Sequence, residues 1–323
     1  MESPNNKSQE SVLIAGEDYP KTYREFVTMF PDNKSCEEFL YKIRWDNGFI
    51  CPKCGTLSKP WHQTHKRLVC THCRHQTTVT TGTIFDKTRT PLTTWLEVAW
   101  HLTTAKNGMS AKTIEKTFGV SYRVAWTMLQ RFRVAMVRSQ REMLSGTVEV
   151  DETQLGGVDF GGKRGRGSKK SLTVIAVELN EEKYFGRVRM RYIPDASSKT
   201  LRSFITDVIE VGSTIHTDGW RGYSGLETLN YNHDVTVIST SQDQAHILMP
   251  GVHNVAALLK RWLLGTHQGA FSHYHLQAYL EEFTFRFNRR NSKNRGLLFR
   301  RLLEQALTTA PIIEKEITYG YDW

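Results

Sequence analysis

The sequence contains no long apolar run, and this absence excludes one class of protein at the outset. A membrane-spanning helix needs about 20 consecutive apolar residues, and no stretch of the chain approaches that length. Residues 1–10 are polar and lack the apolar centre of a signal peptide. We therefore expect no membrane partner and a cytoplasmic location, associated with the nucleoid if the source is bacterial.

Cysteine is also scarce, with five residues in a chain of 323, so a disulfide framework is not expected. Four of the five form two CxxC pairs, Cys51 with Cys54 and Cys70 with Cys73. Two such pairs close a tetrahedral zinc site, and four sulfur ligands leave no open position for a substrate. The spacing predicts a structural Zn²⁺ in a zinc ribbon, and the alternative is four unrelated thiols.

Acidic residues are the scarcer charged class. The chain has 43 Lys and Arg against 33 Asp and Glu, which gives a formal net charge of +10. A basic excess of this size favours a polyanionic partner such as DNA or RNA, although ordinary surface charge is the alternative. Hydrophobic residues make up 39% of the sequence, which indicates a folded protein.

A segment beginning at Met109 has the pattern of a helix-turn-helix. Ser110 can cap a first helix, Gly119 can end it in a left-handed conformation, and Ser121 can cap a second helix. The alternative is a plain helical hairpin. As a helix-turn-helix, the second helix would present its exposed side chains to a DNA groove: Tyr122, Arg123, Thr127, Gln130 and Arg131.

Three later segments place acidic or metal-binding side chains at strand ends or at a helix start. A strand from Thr147 is predicted to end at Asp151 and Glu152, and alternation puts Glu149 and Asp151 on one face. A second predicted strand stops at Asp218. Farther along, His253 stands near the start of a helix, and Lys260 lies seven residues on, close to two turns, on the same side. Each residue alone has an ordinary structural explanation, so only the set indicates catalysis.

These segments resemble the DDE insertion-sequence transposases. The matching motifs are VEVDET at 148–153, HTDGWRGY at 216–223, LLKRWLLGTHQG at 258–269 and YLEEFTFRFNRR at 279–290. The closest resemblance is to the ISXO-like branch with an N-terminal zinc ribbon, which is related to the Merlin transposons. The resemblance implies an α/β fold with a ribonuclease H-like catalytic core.

The resemblance also implies the catalytic residues. Asp151 and Asp218 match the family's first two carboxylates, and His253 stands where most members carry Glu. The Asp-Asp-His set, with Lys260 seven residues later, is similar to a known sub-branch. Carboxylates suit Mg²⁺ and imidazole suits Mn²⁺ better, so either ion is expected. Asp151 would bridge two ions and Asp218 would hold one of them. His253 would complete the second site or orient the attacking water, and Lys260 would hold a phosphate of the DNA.

A glycine-rich basic loop follows the first catalytic strand. Its many glycines predict a flexible segment that can clamp a DNA backbone, and the alternative is a solvated hairpin. The basic residues expected to contact DNA here are Lys163, Arg164, Arg166, Lys169 and Lys170, in addition to Arg123 and Arg131 of the helix-turn-helix.

The sequence as a whole therefore predicts a transposase that binds the terminal inverted repeats of its element, cleaves DNA and transfers the strand. Double-stranded DNA, as element ends and as target, would be its partner, and pairing two ends implies a homodimer or larger synaptic complex. The alternatives are a domesticated DNA-binding regulator and a nuclease without strand transfer. The predicted parts are a flexible tail (1–20), a helical lead-in (21–48), the zinc ribbon (49–85), a helix-turn-helix-like region (90–144) and the catalytic domain (146–310).

Overall fold

A computed structural model describes residues 13–63, 67–138, 141–156, 170–180, 185–237, 245–269 and 271–319 of the chain. The helices are α1 (Tyr23–Met29), α2 (Asn33–Arg44), α3 (Leu92–Thr104), α4 (Ala111–Phe118), α5 (Tyr122–Ala135), α6 (Ser198–Val208), α7 (Ala245–Leu248), α8 (Pro250–His267), α9 (His273–Phe287), α10 (Arg295–Thr308) and α11 (Glu314–Tyr319). The strands are β1 (Trp61–Gln63), β2 (Arg67–Val69), β3 (Gln76–Thr77), β4 (Thr147–Leu155), β5 (Ser171–Leu179), β6 (Phe185–Ile193), β7 (Thr214–Asp218) and β8 (Asn232–Thr236). No helix within these ranges is both long and apolar enough to cross a bilayer.

The chain divides into two compact units, and the first combines residues up to Lys106 with Ser292–Ala310. In this unit α1, α2, α3 and α10 pack around the ring of Phe299. The ring centres of Phe26, Phe39 and Trp100 lie 5.6–6.3 Å from the ring centre of Phe299. Those of Phe26 and Trp100 are 5.3 Å apart. Aromatic rings at these separations bury large apolar area in a small helical bundle.

The zinc-ribbon part of the first unit is a short antiparallel sheet in the order β1-β2-β3. Its strands are two or three residues long, and Trp61 pairs with Val69 while Leu68 pairs with Thr77. Strands this short bury little apolar surface, so they need an additional constraint to remain folded.

The second unit contains residues 107–291 and 311–323 and is built on a five-stranded sheet. The strand order is β6-β5-β4-β7-β8. Strand β5 is antiparallel to both β4 and β6, whereas β4, β7 and β8 run parallel. This order and these directions are those of a ribonuclease H-like core, so the predicted α/β fold class is confirmed.

Alternation along the strands gives the large sheet two buried faces. Val148, Val150 and Val174 pack with α6 on one face. Ile175 and Val177 pack with α8 and α9 on the other. Because side chains alternate along β4, Glu149 and Asp151 belong to the face covered by α8.

Two amide side chains, from Gln277 of α9 and from Asn288 directly after it, protect the edge strand β6. Asn288 Oδ1 accepts from the Val188 N–H at 2.8 Å, and Gln277 Oε1 accepts from the Tyr192 N–H at 2.9 Å. Their amide nitrogens donate to carbonyls of the same strand. Pairing an edge in this way prevents it from joining a strand of another chain.

One predicted strand end was wrong. The first catalytic strand does not end at Asp151 and Glu152, because its pairing with β5 continues to Leu155 opposite Ser171. The neighbouring strand β7 stops at Asp218, as predicted.

Candidate active site and zinc centre

The four cysteines of the ribbon are already arranged as a metal site. Their sulfur atoms all lie within 4.8 Å of one another. The Sγ atoms of Cys51 and Cys73 are 3.6 Å apart, and those of Cys54 and Cys70 are 3.8 Å apart. A tetrahedral site with Zn–S bonds of about 2.3 Å requires sulfur atoms about 3.8 Å apart. The residues therefore fit a structural zinc ion.

Each CxxC pair is closed by a residue in the left-handed conformation. Gly55 has φ of 70° and donates its N–H to the Cys51 carbonyl, and Arg74 has φ of 62° and donates to Cys70. This turn directs both sulfur atoms of a pair to the same side. The Arg74 guanidinium also stacks over the exposed ring of Trp61, 4.2 Å from its centre.

Asp151 and Asp218 occupy adjacent parallel strands at the same level of the large sheet. The register pairs Val150 of β4 with Thr217 of β7, and each aspartate follows one residue later. Both side chains are half-buried. Two carboxylates side by side at a sheet surface make the local electrostatic potential more negative, which favours a divalent cation between them.

Local hydrogen bonds hold each aspartate in one orientation. Asp151 Oδ1 accepts from the Glu152 N–H at 2.7 Å. Asp218 Oδ1 accepts from the Trp220 N–H at 3.0 Å, while the Trp220 indole N–H donates to Ala196 O at 2.9 Å. Asp218 is therefore a turn residue in the usual sense, and the same bond fixes the direction of its carboxylate.

Glu149 joins the strand of Asp151 to the helix of His253. Its side chain is 1% exposed, and its Oε2 accepts from the Val252 N–H at 2.9 Å. Burial raises the pKa of Glu149, whereas the N–H of Val252 and the neighbouring His216 lower it. The bond satisfies a free N–H in the first turn of α8, so it sets the distance from this helix end to β4.

Gly251 makes that approach possible because it has no side chain. A Cβ at this position would lie 2.8 Å from Oε2 of Glu149 and 3.1 Å from Cδ2 of Leu179. Any larger residue would push the helix away from the sheet. Sequence alternation put Glu149 on the correct face, but its role was missed because Val252 is 103 residues away.

His253 lies in the first turn of α8 and is half-buried. Within the described ranges, the four cysteines are the only group of three or more His, Cys, Asp or Glu residues whose ligand atoms lie within 4.8 Å of one another. The structure thus places Asp151, Asp218 and His253 on one side of the sheet without gathering them around a single point. A two-ion arrangement with a bridging aspartate does not require all three ligands to converge.

Lys260 lies within electrostatic range of both Asp151 and Lys170. Burial lowers the pKa of Lys260, the charge of Lys170 lowers it further, and Asp151 opposes the shift. Of the basic loop predicted to bind DNA, Lys170 therefore lies near Lys260. Lys163, Arg164, Arg166 and Lys169 lie outside the described residues.

Tyr223 is a buried neighbour of the site that the sequence did not single out. Burial raises its pKa well above the usual range, and the nearby charges of Glu152, Asp151 and Asp218 raise it further. It belongs to the hydrophobic cluster on the α6 face. Its position at the end of the HTDGWRGY motif was the available signal.

The helix-turn-helix segment has the predicted caps, with Ser110 and Ser121 accepting from the N–H groups of Thr113 and Val124. Gly119 ends α4 with φ of 66°. Arg123 is exposed and Arg131 is half-buried. The expectation that Gln130 faces a groove was wrong, because it is 5% exposed and lies against His275 and Ile312. Only the first turn of α5 is well exposed.

The sheet topology and its paired carboxylates define a polynucleotidyl transferase of the ribonuclease H-like class. Residues 143–288 match the model of the ISXO2-like transposase domain, and residues 31–76 match that of the transposase zinc-ribbon domain. The two matches together cover more than half of the chain. The chain belongs to the ISXO2-like transposase family, and it is a transposase with a zinc ribbon.

Relatives and one solved structure complete the comparison. The chain is 24% identical over 278 residues to an uncharacterized protein in transposable element ISH50 of Halobacterium salinarum, a match that covers 80% of this chain and 92% of that protein. It is 27% identical over 115 residues to a transposase-like protein of Haemophilus influenzae, covering 36% of this chain and 92% of that protein. The catalytic core domain of BIV integrase aligns with TM-score 0.32 and 16% identity over 46% of this chain and 85% of that one.

Proposed function

We propose that Asp151, Asp218 and His253 hold the divalent ions with which this transposase cleaves and joins DNA. The observation that carries the proposal is the register of β4 and β7, which sets Asp151 and Asp218 at one level beneath the helix of His253. The donors are oxygen and imidazole nitrogen, which suit Mg²⁺ or Mn²⁺. When bound, such ions stabilise negative charge on the attacking and leaving oxygens of a phosphodiester.

The chain's own residues then orient the DNA. Asp151, on the central strand of the sheet, would help to hold both ions. Lys260, on the same side of α8 and within range of Asp151, would hold a phosphate of the DNA end. Glu149 holds α8 against the sheet, so it keeps His253 in position without touching substrate.

The reaction has two steps on this proposal. A water oxygen first attacks phosphorus at the end of the element, the bond to the 3′ oxygen breaks, and that oxygen leaves as a 3′-hydroxyl. The 3′-hydroxyl then attacks a phosphorus of the target DNA, with loss of its proton, and displaces the 3′ oxygen of a target strand. No covalent bond to the enzyme is needed, because each displacement is direct.

The zinc ribbon and α5 would recognise the terminal inverted repeats. Support comes from the exposed Trp61–Arg74 stack on the ribbon and from Arg123 in the exposed first turn of α5. Arg131 and Lys170 would add contacts to the backbone. Because two ends must be held together, we infer a homodimer or larger complex on DNA, in the cytoplasm.

A strand-transfer assay tests the proposal. The full-length, zinc-loaded protein is incubated with a labelled end of its element, a plasmid target and either Mg²⁺ or Mn²⁺. We expect joined product from the wild type and none from Asp151→Ala or His253→Ala, with Asp207→Asn, an exposed carboxylate on α6, as the active control. Specific binding without nicking in either metal would favour a DNA-binding regulator. Nicking without joining would favour a nuclease.

A further inference from the structure

A cavity of about 200 Å³ lies in the second unit at the β6 edge of the large sheet. It is formed by β6, by α9 and by the segment that connects α5 to β4. Its charged lining consists of five arginines and two glutamates: Arg138, Arg141, Arg187, Arg189, Arg289, Glu142 and Glu281.

Three of the arginines already have carboxylate partners, and the pair of Arg138 with Glu142, at 3.5 Å, is the longest of these contacts. Arg141 makes a bidentate pair with Glu281, with N–O distances of 2.5 and 3.1 Å. Arg187 makes a bidentate pair with Glu178 at 2.6 and 2.9 Å and also reaches Glu142 at 3.2 Å. Even when Glu178 is included, the described residues of the cavity carry two more positive charges than negative ones.

Arg189 contributes to this excess of positive charge. It is 8% exposed and lines the cavity. Its guanidinium donates to the carbonyls of Val188 at 3.1 Å and Glu142 at 2.7 Å. Within the part of the chain that the structure describes, no carboxylate forms an ion pair with it. Burial lowers its pKa to about 10, and the charge of Arg141 lowers it further, against the opposing charge of Glu281.

We propose that this arginine pocket binds a phosphate group of the DNA backbone. A buried cation without a carboxylate is costly, and an anion that enters the cavity would remove that cost. Guanidinium groups match phosphate oxygens with paired hydrogen bonds, and arginine is one of the side chains with which DNA-binding proteins contact the backbone. The mouth of the cavity is accessible, since Arg138 keeps 46% of its side chain exposed.

The pocket is separate from the catalytic carboxylates. Arg189 pairs with Ala176, and Ala176 pairs with Val150, whose side chain lies on the face opposite Asp151. The proposal rests on the chain being a transposase that binds DNA, and it does not depend on which residues hold the catalytic ions. Loss of the pocket should therefore weaken binding and leave cleavage of bound DNA intact.

The test compares DNA affinity across a salt series. Full-length protein is titrated into a fluorescein-labelled duplex that carries one end of the element, and binding is followed by anisotropy. The variants are R138Q, R289Q and their double variant, all on partly exposed side chains. One lost phosphate contact lowers the slope of log K against log salt by about 0.9. We expect that change in the double variant, with about 5- to 10-fold weaker binding near 0.1 M salt.

Arg191→Gln is the matched control. Arg191 lies on the same strand and face as Arg189, two residues away, but it pairs with Asp207 of α6 at 2.9 Å and does not line the cavity. We expect its affinity to stay within about twofold of the wild type. A fourth variant, R189K, keeps the buried charge and should keep the salt slope, whereas loss of the paired guanidinium donors should weaken binding.

Two results would overturn the proposal. One is an unchanged salt slope in a double variant that melts like the wild type. The other is that inorganic phosphate raises the melting temperature of the wild type but not of the double variant, while both proteins bind DNA equally well. That result would assign the pocket to a free anion. Failure of the catalytic proposal is recognised separately: Asp151→Ala would then still cleave, while the binding data on the pocket would stand.

Discussion

The zinc centre and the catalytic centre are assembled in opposite ways. The zinc ligands come from 23 consecutive residues, and their four sulfur atoms already lie within 4.8 Å of one another. The candidate catalytic ligands come from two strands and a helix, and they do not converge in this way. A closed site serves the fold, whereas a site that leaves room between its ligands can admit ions, water and a phosphodiester.

The first prediction concerns the closed site and has the largest expected effect. Cys70→Ser should remove the zinc ion and unfold β1–β3, because apparent zinc-binding free energies in small domains reach about 10–16 kcal/mol. Zinc content per chain and amide hydrogen exchange in β2 and β3 report the loss. Cys36→Ala is the control, since Cys36 is buried in α2 away from the ribbon sulfurs. Full zinc content in Cys70→Ser would contradict the role of Cys70 as a zinc ligand.

The second prediction concerns what keeps the open site in place. Glu149→Ala removes the acceptor of the Val252 N–H, so α8 should shift and cleavage should fall about 10- to 100-fold, as for other residues that orient metal ligands. The Mn²⁺ concentration needed for half-maximal cleavage should rise in parallel, a change that simple destabilisation does not cause. Gly251→Ala should act in the same direction, because its Cβ would lie 2.8 Å from the carboxylate.

Glu149→Gln separates the hydrogen bond from the charge. Glutamine keeps an acceptor for Val252, so cleavage should remain within a few-fold of the wild type. Because burial raises the pKa of Glu149 above its usual 4.5, the folded state disfavours the ionised form, and stability is lost as pH rises through the shifted pKa. The variant should therefore gain stability relative to the wild type above that pH. Equal pH dependence of chemical unfolding in both proteins would count against this account.

The smallest expected effect is a change of metal preference. His253→Glu replaces the imidazole by the carboxylate that most related enzymes carry. Since oxygen ligands suit Mg²⁺ and imidazole suits softer ions, we expect the ratio of cleavage in Mg²⁺ to cleavage in Mn²⁺ to rise several-fold. An unchanged ratio in an active variant would indicate that this side chain does not contact an ion.

The contrast also explains what the sequence could predict. Cys51, Cys54, Cys70 and Cys73 are local in the chain, so their spacing alone predicted the zinc centre, and the fold class and family followed from motifs read by resemblance. The end of a strand depends on the strand with which it pairs, and β4 runs to Leu155 because β5 extends beside it. The catalytic residues, the domain boundaries, the catalytic ion and the oligomeric state stay predictions.

Contacts between distant segments were outside the reach of sequence patterns. Gln130 has the position of an exposed helix residue, yet residues from α9 and the segment before α11 cover it. In the same way, Arg133 of α5 is buried, and it forms an ion pair at 2.8 Å with Glu282, which is 149 residues away in the sequence. Helical periodicity gives the direction of a side chain, and it does not tell which element will pack there.

The most direct test of the central claim is to count the divalent ions that the active site holds. Zinc-loaded full-length protein bound to a DNA end is titrated with Mn²⁺ and followed by electron paramagnetic resonance, beside Asp151→Ala, Asp218→Ala and His253→Ala. The account predicts two ions at the wild-type site. It also predicts the loss of one ion in Asp218→Ala and in His253→Ala, and of both in Asp151→Ala. Wild-type Mn²⁺ binding in Asp151→Ala would contradict it.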